Sequence, residues 1–290
     1  MAVTDRAAPV RGITIADAWR SFRTAIGLGW AIESNWSDPF LFAVYTMAKP
    51  LAAAGILVVM FQVITQGQNT AFLQFLIVGS ALWNVVFGVM GGLVQSILED
   101  RERYKMMKYV VVTPSSLFPF LLGRSLARVL ISFVAVVLTL AVGVVFLDVE
   151  LRLNLLILLP ASILGVIAVI ALGVFMAGWC LQLRQEAWSY PEAIAGALYL
   201  VSGAIFPIDV LPAFVHPIAL ASPTTWWLEA SRRGLLGHGS PGMLGAIPDG
   251  IVFLYLVLST AVAVPLALAA FAWFMRRARQ AGLLDMTTGS

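Results

Sequence analysis

Long, predominantly apolar runs constrain this chain more than any other feature of its sequence. A helix needs roughly 20 apolar residues to cross the hydrocarbon core of a bilayer. Only 11% of the residues are charged, against roughly 25% in a soluble domain, so an all-α integral membrane protein is expected. The runs that reach the required length are Phe40 to Ile64, Phe72 to Ile97, Leu117 to Leu147, Leu153 to Leu183 and Ile251 to Met275.

A sixth run, Tyr190 to Phe206, has about the minimum length and leads into Pro207, Pro212, Pro217 and Pro223. Proline cannot continue a regular helix. Irregular backbone at membrane depth is tolerated only against protein or a water-filled cavity. We therefore expect six transmembrane helices, with a Pro-broken extracellular re-entrant segment before the last one.

These runs predict three parts of the chain. Residues 1–36 form a cytoplasmic N-terminus with an interfacial helix, residues 37–280 form the transmembrane domain, and residues 281–290 form a cytoplasmic tail. The predicted spans lie near residues 40–64, 72–97, 117–147, 153–183, 190–206 and 251–275.

The basic residues predict the orientation, because cytoplasmic loops of membrane proteins carry an excess of Lys and Arg. With six spans and both termini in the cytoplasm, the outer segments hold only Arg152, Arg232 and Arg233, and Lys49 is ambiguous. A multi-pass protein of the cell membrane is therefore expected. The inner segments hold Arg6, Arg11, Arg20, Arg23, Arg101, Arg103, Lys105, Lys108, Arg124, Arg128, Arg184, Arg276, Arg277 and Arg279.

An amphipathic helix is predicted before the first span. Its apolar residues recur every three or four positions and so share one face, whereas Arg23 lies elsewhere. Such a helix suits the inner membrane interface; the alternative is packing on another protein surface. The apolar face comprises Ile15, Trp19, Phe22, Ile26 and Trp30.

The segment from Leu98 to Ser116 begins with a run of charges, and Pro114 ends any helix at about Thr113. The spacing of Glu99 and Arg103 favours a helical ion pair. One interpretation is a solvated inner loop. The other is a short cytoplasmic helix that offers a partner its charges and an apolar edge. The charges are Glu99, Asp100, Arg101, Glu102 and Arg103, and the edge is Tyr104, Met107 and Tyr109.

The segment from Gly203 to Gly237 combines the prolines with Trp226, Trp227 and Arg232 on the outer side. Tryptophan favours the membrane interface, and prolines favour short kinked elements. The segment either lines an exit route or forms a structural cap.

Both segments resemble those of the ABC-2-type exporter permeases, the membrane halves of ATP-driven drug, lipid and polysaccharide exporters. The Gly-Thr that commonly follows the acidic run in that family is replaced here by Lys105 and Met106. The matching inner residues are Asp100, Arg101, Glu102, Arg103, Thr113, Pro114, Gly123 and Arg124; the outer ones are Gly203, Phe206, Pro207, Leu211, Pro212, Pro223, Arg232 and Gly237.

The resemblance implies a division of labour between subunits. The charged loop, Glu99 to Arg103 with Thr113 and Pro114, would dock onto a separate ATPase subunit. The interfacial helix would transmit movement through Trp19, Phe22, Arg23 and Trp30, and two permease chains, identical or homologous, would form the path between them. The re-entrant segment would include Phe206, Pro207, Pro212, Pro223, Trp226, Trp227 and Arg232.

The sequence contains no GxxxxGK[ST] phosphate-binding loop. ATP and Mg²⁺ are therefore expected on the partner ATPase subunit, with no cofactor, metal or catalytic residue in this chain. The isolated His216 and His238 and the lone Cys180 do not form a metal-ligand pattern. Lys49 either snorkels to the inner headgroups or faces a hydrophilic vestibule.

A secondary transporter or channel is the main alternative. Ion-coupled carriers place acids or histidines deep in their spans, whereas the middles of these six spans lack Asp, Glu and His. Membrane-embedded enzymes carry motifs such as HExxH, and none occurs here. A scaffold role stays open, and a nucleic-acid partner is not expected. The apolar spans favour an amphiphilic drug or lipid as substrate over a lipid-linked glycan.

Overall fold

The computed structural model describes residues 15–34, 38–65, 70–107, 109, 117–183 and 189–283. Within these ranges the chain is all-helical, without a β-strand. The α-helices are α1 (Ile15–Ser34), α2 (Pro39–Thr65), α3 (Thr70–Leu98), α4 (Leu117–Leu147), α5 (Leu155–Cys180), α6 (Ser189–Val201), α7 (His216–Ala221), α8 (Pro223–Leu236) and α9 (Asp249–Gln280). A π-helical segment, Glu99–Arg103, continues α3, and a 3₁₀ turn, Ile208–Val210, precedes α7.

Four helices of the described residues are long and apolar enough to cross a membrane: Thr70–Arg103, Phe118–Leu147, Leu155–Cys180 and Asp249–Gln280. They coincide with four of the five long runs, so the prediction of an all-helical, multi-pass membrane protein is confirmed. The first run is also one helix, α2, of 27 residues, although several of its side chains, including that of Lys49, lie outside the described set.

The sixth predicted span is shorter than expected. Helix α6 has 13 residues and ends at Val201, before the expected limit at Phe206. The chain bends at Gly203, whose φ of 73° lies in the left-handed region that glycine tolerates best. A helix of this length does not reach the roughly 20 residues that a span needs, so the count of six spans stays a prediction.

Helix α3 is the central helix of the fold. Of its apolar window, 67% is buried inside the protein, whereas the shares for α4, α5 and α9 are 22%, 28% and 22%. Helices α4 and α5 pack against α3, and α9 packs against α5. Helices α4, α5 and α9, which surround α3, therefore leave broad apolar faces exposed. These faces are suited to contact with the lipid tails that surround a transmembrane helix.

The segment after α6, which the sequence predicts on the outer side, contains a closely packed helix. Pro223 occupies the first turn of α8, where its missing N–H costs no hydrogen bond. Gly237 ends the helix with a left-handed φ of 77°. Every residue of α8 is buried, and the helix packs against α5, α9 and α3. Helix α8 is therefore covered by protein, whereas α7 has one buried residue, Ala219.

Candidate functional site

The charged run after α3 folds into the protein instead of forming a solvated loop. Glu99, Asp100 and Arg101 are 4%, 0% and 2% exposed. The interpretation as a solvated inner loop is therefore wrong for these three residues. Glu102 is half-buried, and Arg103 is exposed. A charge taken out of water needs a partner of opposite sign, so the location of those partners determines what the segment can do.

Glu99 finds its partners on α4. Arg124 Nη2 lies 3.1 Å from Glu99 Oε2, and Arg128 Nη2 lies 3.2 Å from Glu99 Oε1. The ion pair with Arg103 that the spacing favoured is not the one formed. Arg124 Nη2 is also 3.5 Å from Asp100 Oδ1, so one guanidinium lies in ion-pair range of two neighbouring carboxylates.

Arg128 extends the network to the N-terminal helix. Its Nε lies 2.6 Å from Glu33 Oε1 on α1, and its Nη1 contacts the Gln95 side chain on α3. Gln95 in turn donates to Glu99 Oε1 over 3.1 Å. We call these charges, Glu33, Glu99, Asp100, Arg124 and Arg128, the inner charge network. It joins α1, α3 and α4 through side chains alone.

Two glycines allow α1 to lie directly on α4. A Cβ at Gly123 would collide with the backbone carbonyl oxygen of Phe22, and a Cβ at Gly29 would collide with that of Arg124. The Gly-Arg pair of the inner motif therefore has two roles. Gly123 admits the backbone of α1, and Arg124 lies in ion-pair range of the carboxylates.

The remaining charges of the run connect it to α5. Arg101 Nη1 donates to the carbonyl oxygens of Cys180 and Leu181, each over 3.4 Å, and its Nη2 lies 2.6 Å from Glu102 Oε1. Carbonyls at a helix C-terminus lack partners within the helix, so Arg101 satisfies them. Cys180 is buried as a packing residue.

The exposed part of this region is smaller than the predicted docking loop. Tyr104 and Tyr109 are 39% and 67% exposed, whereas Met107 is 1% exposed and so does not belong to an exposed apolar edge. The Arg103 guanidinium lies 5.7 Å from the centre of the Tyr104 ring. Thr113 and Pro114 lie outside the described residues.

Helix α1 packs on α4 through a face of small residues and leaves its predicted apolar face largely free. The contact with α4 uses the small residues Ala25 and Gly29, because only small side chains allow such close approach. Trp19 and Trp30 stay 62% and 50% exposed. Phe22 is half-buried and Arg23 is exposed. The free aromatic edge is the arrangement that an interfacial helix requires, and that location stays a prediction.

A groove of about 1010 Å³ runs along α3 between α2, α4 and α6. Its inner end is bounded by Glu33, Gln95 and Arg128, and Phe206 marks the opposite end. Two members of the inner charge network, Glu33 and Arg128, therefore line one end of the groove. The lining between the ends includes the aromatic residues Trp83, Phe87 and Tyr199 and the polar residues Ser80, Asn84, Ser132 and Thr139.

The outer motif places Arg232 inside the protein. Its Nη2 donates to the carbonyl oxygens of Gly203 and Ala204 over 2.8 and 3.1 Å. Its guanidinium carbon lies 3.8 Å from the centre of the Phe75 ring on α3. Burial lowers the pKa of Arg232 to about 10, opposed by the Glu229 carboxylate, so the side chain stays charged at neutral pH.

The neighbouring Arg233 connects α8 to α9. Its Nε lies 2.9 Å from Glu229 Oε1 and its Nη1 lies 2.5 Å from Asp249 Oδ1. Its Nη2 donates to the Leu244 carbonyl oxygen over 2.9 Å. The sequence analysis missed Glu229 and Asp249. Their signal was weak, because only Glu229 stands at a helical ion-pair spacing from Arg233.

The two adjacent tryptophans are packing residues in this fold. Trp226 and Trp227 are 3% and 2% exposed, not at a free surface. Trp226 Nε1 donates to the Leu220 carbonyl oxygen over 2.8 Å, and its ring stacks on Tyr255 at 4.6 Å. Pro207 is half-buried and Pro212 is exposed. Of the predicted outer residues, Phe206 reaches the groove.

Together, the apolar helices, the groove along α3 and the two charged motifs define a multi-pass membrane protein with a groove along its central helix. Residues 27–236, well over half of the chain, match the family model described as ABC-2 type transporter. The chain belongs to this family, and the resemblance carried by the inner and outer motifs is confirmed. A search of curated proteins finds no match to the chain.

Proposed function

We propose that this chain is the transmembrane permease subunit of an ATP-driven exporter. It moves an amphiphilic drug, lipid or lipid-linked glycan out of the cytoplasm or the inner leaflet. ATP and Mg²⁺ bind to a separate ATPase subunit, and this chain itself is not an enzyme. The observation that carries the proposal is the groove of about 1010 Å³ whose inner end is lined by Glu33 and Arg128 of the inner charge network. Membership of the ABC-2 type transporter family supports it.

The groove suits an amphiphile. Its walls combine aromatic surfaces with small polar groups; for example, Asn84 Nδ2 lies 3.4 Å from Thr139 Oγ1 across the α3–α4 contact. Apolar walls with a few polar groups are typical of ligand sites. In the proposed assembly a second permease chain, identical or homologous, faces the groove and closes the path. Six spans, a re-entrant outer segment and cytoplasmic termini belong to the same proposal.

Movement of the ATPase would enter the permease at the exposed Arg103 and Tyr104. These residues directly follow buried Glu99 and Asp100, which hold Arg124 and Arg128 of α4. Arg128 also holds Glu33 of α1. A displacement of the π-helical segment therefore reaches α1, α4 and the end of the groove through one set of ion pairs. The pairs of Arg124 with Glu99 and Asp100 are shielded from water, which strengthens their electrostatic attraction, whereas the pair of Arg128 with Glu33 is partly exposed.

The test is export by the permease with and without its ATPase. The two proteins are reconstituted in proteoliposomes, and accumulation of a fluorescent lipid or amphiphilic dye is measured with ATP and with a non-hydrolysable analogue. The proposal expects export only when both subunits and hydrolysable ATP are present. Equal transport by the permease alone would refute it.

A secondary transporter or channel is the alternative, and the buried carboxylates Glu99 and Asp100, which belong to the charge network beside the groove, are the observation that favours it. Both lie beside Arg124, which lessens their availability to a transported ion. A pH gradient in the same proteoliposomes distinguishes the two functions. Gradient-driven transport without ATP would replace the exporter by a proton-coupled carrier.

A charge reversal tests the coupling route separately. In Arg103→Glu we expect ATP hydrolysis to continue while export falls, because this exposed side chain lies on the proposed docking surface, whereas Glu102 pairs with Arg101 inside the protein. The matched control is Arg152→Glu, at an arginine whose side chain is 75% exposed. If export stays coupled to ATP hydrolysis in the first variant, the segment is only a structural connection between α3 and α4.

A further inference from the structure

A second cavity, of about 360 Å³, lies between the ends of α5 and α9, far along the chain from the groove residues of α2, α3 and α4. Aromatic side chains form its walls, and Arg277 contributes the only charge of its lining among the described residues. The volume is that of a small-molecule site. The lining consists of Trp179, Gln182, Trp273, Phe274, Arg277, Ala281 and Leu283.

The end of α9 is shaped to complete this cavity. After Gln280 the backbone turns at Gly282, whose φ of 66° is in the left-handed region. The turn folds Leu283 back onto the protein, where it is 5% exposed. Gln182 Nε2 donates to the Phe274 carbonyl oxygen over 2.8 Å and fixes the end of α5 against α9. The turn at Gly282 and the hydrogen bond from the Gln182 side chain therefore hold both walls in place.

Arg277 differs in its partners from the other arginines that line cavities or pack in the core. Arg232 is buried and donates to the carbonyl oxygens of Gly203 and Ala204. Arg101, Arg124, Arg128 and Arg233 each lie within 4 Å of a carboxylate. Within the part of the chain that the structure describes, Arg277 has no carboxylate in ion-pair range, and its guanidinium lies 5.5 Å from the centre of the Trp273 ring. A cation over an aromatic face keeps its donors available for an anion.

The surface above the cavity is lipid-facing. Val262, Leu266 and Trp273 are 58%, 63% and 54% exposed. At 100° per residue, these three residues and Arg277 lie on one face of α9. An apolar stripe of α9 therefore leads directly to the cationic side chain, with a tryptophan between them. Tryptophan is enriched at the depth where acyl chains meet headgroups.

We propose that this cavity binds the phosphate headgroup of an anionic phospholipid. Arg277 donates to the phosphate, Trp179 and Trp273 contact the glycerol region, and the acyl chains lie along Val262 and Leu266. Arg276 and Arg279 are exposed near the same end of α9, and their charges add to the electrostatic attraction of an anionic leaflet. Basic pockets between helices on the cytoplasmic side are suited to such headgroups. The lipid is a structural ligand, separate from the exported substrate.

The test measures lipid retention by the full chain in detergent, using native mass spectrometry with added short-chain phosphatidylglycerol or phosphatidylcholine. We expect preferential binding of phosphatidylglycerol and about fivefold weaker binding in Arg277→Gln, the loss for one basic side chain near a membrane surface. The matched control is Arg276→Gln, an exposed neighbour that does not line the cavity. It should change the affinity much less.

Three results would overturn the proposal. Equal weakening by the two substitutions would mean general attraction to a basic surface. Equal retention of the two lipids would exclude recognition of the anionic headgroup. Inorganic phosphate that displaces phosphatidylglycerol at comparable concentration would indicate an anion site without a role for lipid. Because the readout is binding, the result is independent of whether the chain is an exporter.

Discussion

The inner charge network and the outer Arg232 bury guanidinium groups in different ways. Arg124 and Arg128 pair with carboxylates from other helices, and Arg128 and Glu33 keep 23% and 18% of their side chains exposed. Arg232 is fully enclosed and donates to main-chain carbonyls. Side-chain pairs can exchange partners, whereas carbonyl oxygens move only with the backbone. The inner region is therefore suited to rearrangement and the outer region to rigidity.

The largest loss of stability is expected at the outer end, where it tests whether the region around Arg232 is rigid. Arg232→Met leaves the carbonyls of Gly203 and Ala204 buried without a donor, and each unsatisfied group costs about 1–3 kcal/mol. We expect a total loss of about 3 kcal/mol or more in thermal unfolding of the detergent-solubilised chain. Arg152→Met is the control, because that side chain is 75% exposed. Similar stability of the two variants would contradict the rigid outer cap.

The next largest loss of stability is expected from a substitution at the contact between α1 and α4. Gly29→Ala places a methyl group against the Arg124 carbonyl, and overpacking costs about 1–3 kcal/mol. We expect lower stability and faster proteolysis of α1. Gly27→Ala, on the same helix, has open space and should be neutral or stabilising by up to about 1 kcal/mol. If both variants behave alike, α1 does not depend on close packing against α4.

A double-mutant cycle on Glu33 and Arg128 sharpens the idea of an exchangeable inner region. Because both side chains are partly exposed, we expect a coupling energy of only about 1 kcal/mol in unfolding. Glu33→Gln and Arg128→Gln are compared with the double variant, and ATP-driven export is measured in each. Stability should change little while export falls. A coupling of several kcal/mol would make this pair as rigid as the outer cap.

The smallest effect on stability is expected at Arg103. This exposed residue makes a cation–π contact with Tyr104 at 5.7 Å, and surface substitutions usually change stability by less than about 0.5 kcal/mol. Arg103→Ala should therefore unfold like the wild type but bind the ATPase subunit more weakly. Binding by surface plasmon resonance checks this. If Arg103→Ala is destabilised but binds the ATPase subunit normally, Arg103 is a structural residue and not part of a docking surface.

The sequence predicted the long helices well because run length alone specifies a membrane span. Helices α3, α4, α5 and α9 fall on runs that were recognised from apolar length. The end of α6 was less predictable, because Gly203 interrupts an apolar run without a change in composition. The length of an apolar run indicates that a segment lies in lipid, but it does not indicate where the backbone of that segment bends.

The buried charges were the part that the sequence could not place. Glu99 and Asp100 look like residues of a solvated loop, and their partner Arg124 lies 25 positions after Glu99 in an apolar run. No local pattern connects residues that meet only when α3 packs on α4. The resemblance to the ABC-2 type permeases identified the same residues by order, but it did not indicate that they are buried together.

The π-helical segment changes the direction in which the proposed docking surface, Arg103 and Tyr104, faces relative to the groove wall of α3. Tyr104 N–H donates to the Glu99 carbonyl oxygen over 2.8 Å, a hydrogen bond that spans one residue more than in an α-helix. One residue corresponds to about 100° of rotation in an α-helix. The extra residue therefore turns Arg103 and Tyr104 relative to α3. A single-residue insertion or deletion at this place would reorient the docking surface without rotating the groove-facing side chains of α3.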